Sequence, residues 1–422
     1  MKKILGFDSW TMASNNYARL VNIFKENGYE LILIHIGSWG HDKGRLKEEK
    51  INGLLVRDIS YYKNMSILEI FKQEKPEAII FLSTKAFAHQ TANLYAMHLK
   101  IPTLHLYHGI VSVQSVNSNA VKAYKRSFYG LLTQLYQRFW KNFTLLIPTI
   151  LIALMRCKMP LSYWRFVFRD IFTKINNPLS QATSPLIKTT LGCIYTEADR
   201  MHMKNTYMLK DHDIYSVGNP DLITFGFSSN DIGCSFQVDK SSLRNDVVYI
   251  DTSLVQAGYV FDNFNQYFNH LLLTEKYLMK FGFSMSFKPH PDHYHNGNLL
   301  ELLEKSTIRV IHKDNFMSEI RTCSAVIVEP STLSLIPALM GKIILLANYG
   351  KLSSQTYGDV LVSYPYSIFL KDLNTISELN FKISKQIRTR DFESWVEQNS
   401  GPMPPENMPE RVFNALKKYL IQ

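Results

Sequence analysis

Cysteine is scarce in this chain: four residues in 422, none with a second at CxxC or metal-ligand spacing. Cys157, Cys193, Cys234 and Cys323 are scattered, which argues against a disulfide framework and fits a reducing, cytosolic setting. Long apolar runs are also missing, and no stretch reaches the roughly 18–20 apolar residues that a spanning helix needs. The N-terminal MKKILGF carries two lysines, but its apolar run ends at Asp8, too early for a signal peptide. No repeat of short period is present. The histidine-rich loop His290, Asp292, His293 and His295 matches no helix or knuckle spacing of zinc ligands, so a metal site is not expected there. Acid is in deficit as well, with 36 Asp and Glu against 47 Lys and Arg, a net charge of +11.

What the chain does have is apolar material, 46% hydrophobic against 20% charged, enough for two domains of ordinary size. Its positive charge is concentrated. Residues 121–180 hold ten lysines and arginines against the single Asp170, an excess of nine. Within this segment Phe143 to Met155 is a mostly apolar run interrupted by Pro148, and Leu161 to Arg169 sets aromatics among arginines. The mixture predicts interfacial helices whose apolar side dips into a membrane while Lys and Arg meet anionic headgroups. A buried helical insertion, packed on the domain or on a second subunit, is the competing reading. Nucleic acid is not an expected partner, because the segment is an apolar insertion and not a solvated groove.

Around this insertion the chain alternates short apolar runs with amphipathic helices, the pattern of a parallel sheet covered on both faces. Strands are predicted at 3–7, 30–36, 51–58, 78–82 and 103–106, then again at 191–196 and 214–217. After a polar, turn-rich stretch at 221–245 the rhythm resumes with strands at 246–250, 284–288, 308–311, 325–328 and 343–347. The reading is α/β: a Rossmann-like domain over 1–220 with the helical insertion at 120–185, a linker at 221–245, a second Rossmann-like domain over 246–404, and a C-terminal helix from 405.

Candidate chemistry gathers at the predicted strand exits. In Lys288-Pro289-His290-Pro291 the prolines forbid helix and hold an extended loop. His290 can there donate a ring N–H to a phosphate oxygen while Lys288 supplies charge. Ser331 and Thr332 open a short helix after a buried strand, where free N–H groups and two hydroxyls suit an anion, although capping alone would also explain the serine. Asp251, Thr252 and Ser253 form a third strand-exit loop suited to nucleotide contact. Glu329 can bond ribose hydroxyls or simply favour the helix dipole. A general base is expected in the first domain: His108, before Gly109, is the leading candidate and Asp8 the rival.

FKPHPD at 287–292 and EPSTLSLIPALMGKIILL at 329–346 resemble the donor half of GT-B glycosyltransferases that build bacterial surface polysaccharides. Similar patterns occur in capsule transferases, including Kdo-type, sialyl- and polysialyltransferases, and in CDP-glycerol polymerases of teichoic acid. LYHGI at 106–110 and SVGNPDL at 216–222 resemble the acceptor-domain His-Gly exit and the hinge turn of such enzymes. The resemblance implies two Rossmann-like domains facing a central cleft, donor phosphates on His290, Ser331 and Thr332, and His108 as base. Two departures stand out: Ile336-Pro337 occupies the place of a helix glutamate common in GT-B enzymes, and the acidic base motif of bacterial sialyltransferases is missing.

The function so implied is metal-independent transfer of a sugar from a nucleotide donor to a lipid-linked or polysaccharide acceptor, in capsule, lipopolysaccharide or O-antigen synthesis. No cofactor beyond the donor is expected. The expected location is the cytoplasmic face of a bacterial membrane, through residues 120–180. Rival readings are a polyol-phosphate transferase of the CDP-glycerol or ribitol type, a nucleotide-sugar 2-epimerase, and a non-catalytic assembly protein docked to a membrane.

Overall fold

The computed structural model describes residues 1–9, 13–39, 46–63, 65–107, 142–176, 184–239, 243–252, 255, 261, 263–295, 297–347, 359–370 and 373–420. They divide into two compact units. The first draws on 1–107, 142–217 and 407–420, and the second on 218–406.

The first unit is built on eight strands: β1 (Lys2–Asp8), β2 (Tyr29–His35), β3 (Glu48–Ile51), β4 (Leu54–Asp58), β5 (Pro76–Phe81), β6 (Thr103–Leu106), β7 (Leu191–Ile194) and β8 (Ile214–Ser216). Their order is β3-β4-β2-β1-β5-β6-β7-β8, and every pairing is parallel except that of β3 with β4. The sequence predicts one strand over 51–58. The structure has a hairpin there, because Asn52 and Gly53 both take positive φ, 49° and 84°, as a two-residue type I′ turn requires. The last five residues of both β1 and β2 are buried, because helices cover both faces.

Two later segments return to this unit. Asn93 Nδ2 donates to the carbonyls of Leu186 and Lys188 at 2.7 and 2.8 Å, and Thr84 Oγ1 donates to that of Ile187 at 2.6 Å. The C-terminal helix Met408–Leu420 sets Phe413 edge-on against Phe24, centroids 5.6 Å apart. It is thus a part of the first unit's core, where the sequence suggested a separate terminal element.

The second unit carries β9 (Arg244–Ile250), β10 (Ser284–Lys288), β11 (Arg309–Val310), β12 (Cys323–Val328), β13 (Ile343–Ala347) and β14 (Ser367–Leu370). All pairings are parallel, in the order β11-β10-β9-β12-β13-β14. Counted within the unit this is 3-2-1-4-5-6, the Rossmann order, in which the order of strands reverses between β9 and β12. The helix Phe264–Lys280 starts at Asn263, whose Oδ1 accepts from Gln266 N at 3.0 Å. It buries Tyr267, Leu271 and Leu278 in a core with Val247, Phe287, Ile327 and Leu345. The stretch 221–245 holds the helix Pro220–Thr224 and two 3-10 turns. Strand β14 and the helices Leu379–Lys385 and Arg390–Asn399 were not anticipated from the sequence.

Candidate functional site: the carboxyl edge of the second sheet

In an open parallel sheet, ligands bind outside the carboxyl ends of the strands where strand order reverses. Here those ends are the exits of β9, β10 and β12, and the backbone stitches them together. Asp251 N donates to the carbonyl of Lys288 at 3.1 Å, and Glu329 N to that of Ile250 at 3.3 Å. The predicted residues Thr252, Lys288, His290, Glu329, Ser331 and Thr332 all lie on these three exits.

His290 sits two residues past β10, partly buried, with its backbone N–H donated to Oδ2 of Asp251 at 3.0 Å. Nε2 of His293 stands 2.8 Å from that same oxygen. Lys288 is buried, and its ammonium donates to the carbonyl of Pro289 at 2.8 Å. Burial pushes its proton affinity down, against the pull of the Asp251 charge. Ser331 caps the turn Thr332–Ser334, its Oγ accepting from Leu333 N at 3.2 Å. Thr332 Oγ1 lies 3.5 Å from Oδ2 of Asp221, which follows the Gly-Asn-Pro turn.

Glu329 is held from all sides. The hydroxyls of Tyr249 and Tyr267 each lie 2.9 Å from its Oε1. Thr252 donates to Oε2 from N at 3.1 Å and from Oγ1 at 2.8 Å. With 2% exposure, this carboxyl fastens the β12 exit to the β9 exit. Burial, then the nearby charge of Asp251, push it up to about 7. Asp251 goes the other way: burial opposes its charge, but His293, the His290 amide and the Tyr267 hydroxyl hold it below the usual range.

The sequence singled out neither Tyr249, Tyr267 nor His293 for this framework. The tyrosines occupy apolar-periodic positions and read as core. Asp251 was expected only as a member of the 251–253 exit loop, not as the carboxylate that holds the His290 loop.

In the first unit Asp8 ends β1, beside the reversal between β1 and β5. It is buried, and its Oδ1 accepts from Ser9 N at 2.6 Å. Burial and the Asp8 charge raise the neighbouring Tyr17 phenol well above its usual range. His108, Gly109 and Ser253 lie outside the described residues. Farther along the same edge, burial and the charge of Lys85 lower His202 to about 4. Among the described residues no group of three or more His, Cys, Asp or Glu is placed to hold a metal ion.

Comparison with known proteins gives the fold. No protein-family model matches the sequence, and no curated protein matches it. Solved structures do. MurG of Acinetobacter baumannii is 10% identical with a TM-score of 0.50, covering 99% of this chain and 100% of that one. A variant of the wall teichoic acid polymerase TagF is 10% identical with a TM-score of 0.50, covering 100% and 89%. The S. aureus MnaA–UDP structure, at 11% identity and 100% and 97% coverage, scores 0.48, too low to carry an argument. The fold is that of the GT-B enzymes, α/β with two parallel-sheet units.

Proposed function

We propose that this chain is a nucleotide-sugar transferase of GT-B type that extends a lipid-linked or surface glycan. The observation that carries the reading is the convergence on one sheet edge. Asp251 holds the His290 loop, Glu329 holds the β9 exit, and Ser331 opens the next turn, all at the strand-order reversal of a Rossmann sheet. The donor phosphates would lie across these exits, with the His290 ring and the hydroxyls of Ser331 and Thr332 as donors. Lys288 contributes its charge from beneath. Such preorganised donors stabilise the departing nucleotide as charge develops on it.

In this reading Glu329 belongs to the framework, because both its oxygens already accept hydrogen bonds from the chain. The acceptor proton goes to His108 or Asp8 of the first unit. The MurG and TagF structures support the reading through their shared fold.

We also assign the helices Ile147–Arg156 and Leu161–Asn176 to the surface of an anionic membrane, the cytoplasmic face in a bacterium. Their inner side packs Ile150, Leu154, Val167 and Ile171 into the first unit's core, so the internal-packing expectation describes that side. The outer side of the second helix exposes Leu161, Phe168 and Phe172 with Arg165 and Arg169, an apolar and cationic face suited to headgroups. Among the described residues no helix is long and apolar enough to cross a membrane.

The experiment is a thermal-shift screen of CMP-, UDP-, GDP- and CDP-linked sugars, followed by turnover with the stabilising donor. Stabilisation by one nucleotide class, lost in His290→Ala, is the expected result. Full activity of that variant with the true donor overturns the phosphate assignment. Donor conversion without any acceptor would identify an epimerase instead.

A further inference from the structure

Tyr267 has one hydroxyl hydrogen, yet its oxygen stands 2.9 Å from Oδ1 of Asp251 and 2.9 Å from Oε1 of Glu329. One hydrogen cannot serve two carboxylate oxygens at full strength. If the phenol donates to Asp251, the second short contact needs a hydrogen from the Glu329 carboxyl. Thr252 donates twice to Oε2 of Glu329, bonds that favour the anion but that the carbonyl oxygen of a protonated carboxyl, with two lone pairs, also accepts. Oδ2 of Asp251 faces the His290 amide and His293, a set that favours an anion. Oε1 of Glu329 also receives the Tyr249 hydroxyl, and a protonated oxygen accepts that bond while donating its own hydrogen to Tyr267.

We propose that Asp251 and Glu329 share one proton across the Tyr267 hydroxyl, and that this proton holds the β9 and β10 exits in the arrangement that receives the donor phosphates. The proposal rests on the transferase reading for its ligand, but not for the proton. Glu329, Tyr267 and Tyr249 are positioning residues here and touch no reacting atom.

The physical reason is charge. With the shared proton in place, the edge carries one carboxylate, close enough to the buried Lys288 ammonium to feel its charge. Without it, two carboxylates face each other across a single phenol, in a region 0–5% exposed. Repulsion is strong at such short range in a medium of low polarity. The same two negative charges would also oppose an arriving phosphate. Donor binding and retention of the proton therefore support each other, as linkage requires. The described titratable and charged groups around the pair include Asp251, Glu329, Tyr249, Tyr267, His290, His293 and Lys288, with Lys313 acting on Lys288. Burial and the Asp251 charge raise Glu329 while its partners lower Asp251, the direction expected of a pair that holds one proton.

The test has three arms, all on the full chain. Isotope-edited infrared spectroscopy reads the Glu329 carboxyl directly, with Glu329→Gln to assign the band. A protonated band at pH 6 that disappears as pH rises through about 7 is expected; an ionised Glu329 at pH 5 overturns the shared proton. Amide exchange at Thr252 and His290, corrected for its intrinsic pH dependence, reads the loops without any ligand. Exchange should quicken at least severalfold above the transition in the wild type and stay level in Glu329→Gln, whose amide nitrogen donates to Tyr267 without titrating, although it cannot accept from Tyr249. Loops indifferent to the transition overturn the positioning role.

Should Glu329→Gln not fold, Tyr267→Phe serves in both arms: an unchanged carboxyl titration there refutes the bridge. The third arm measures UDP and CMP affinity against pH, expected to fall up to about tenfold per pH unit above the transition. If neither nucleotide binds at any pH, the ligand assignment fails, while the first two arms still decide the proton and the loops.

Discussion

The backbone N–H of His290 donates to Oδ2 of Asp251 at 3.0 Å. A histidine after one strand is thereby positioned by a carboxylate after its neighbour, and the loop's geometry depends on a residue it does not contain. Replacing Asp251 with Ala leaves the His290 amide, His293 and the Tyr267 hydroxyl without that partner. The expected cost is about 3 kcal/mol, typical for breaking a buried charged network, with Asp251→Asn costing less. Urea denaturation checks both, and the variants should also lose nucleotide-dependent stabilisation.

Ser331 has two separable roles. As a cap it contributes about 1 kcal/mol, so Ser331→Ala should lower the melting temperature only slightly. Its effect on donor affinity should be larger if the hydroxyl also meets phosphate. Equal losses in stability and in binding free energy would reduce Ser331 to a cap.

Gly341 tests the turn between β12 and β13. Its φ is +82°, and an added Cβ would lie 2.5 Å from Cε2 of Phe236. Both the backbone and the ring oppose a side chain, so Gly341→Ala should destabilise by roughly 1–3 kcal/mol. A melting curve that does not move would mean Phe236 yields freely.

Stability should respond to pH in two windows. Glu329 is raised from 4.5 to about 7 in the fold. Its contribution is complete below the unfolded value and declines as pH rises toward 7, by on the order of 3 kcal/mol. Asp251 is lowered, so its contribution holds above the ordinary aspartate value and is lost as pH falls through the native one. Denaturation of Glu329→Gln between pH 4.5 and 8 should show a flatter alkaline side than the wild type.

The membrane assignment is tested better by point changes than by deletion, because the inner faces of both helices are core. Phe168 and Phe172 are 43% and 63% exposed, so Phe168→Asp with Phe172→Asp should leave stability within about 0.5 kcal/mol. Cosedimentation with anionic liposomes should drop severalfold. Undiminished cosedimentation would move the contact elsewhere.

Most strands were legible in advance because a strand buried on both faces is a short apolar run bounded by turn residues, as at Ala325–Val328. The turn Asn52-Gly53 was equally legible but was absorbed into one predicted strand, which hid β3. Strand β14 escaped because its apolar run, Ile368–Leu370, is only three residues long, although Pro365 marks a turn before it. The residues lining the strand exits were found through Pro and Ser-Thr punctuation, which marks where a chain leaves a sheet. Their supporting network was not found, since a tyrosine that bonds a carboxylate looks, in sequence, like any core aromatic.

Local chemistry alone determined the alternation of strands and helices, the concentration of basic charge before residue 180, and the polar character of the exits at Lys288–His290 and Ser331–Thr332. Tertiary structure decided the strand order, the return of the C-terminal helix to the first unit, and the meeting of Asp251 with Glu329. Those facts depend on which strands lie side by side. Pairing is chosen between residues as far apart in the chain as Thr252 and Glu329, 77 positions, and no local pattern records it.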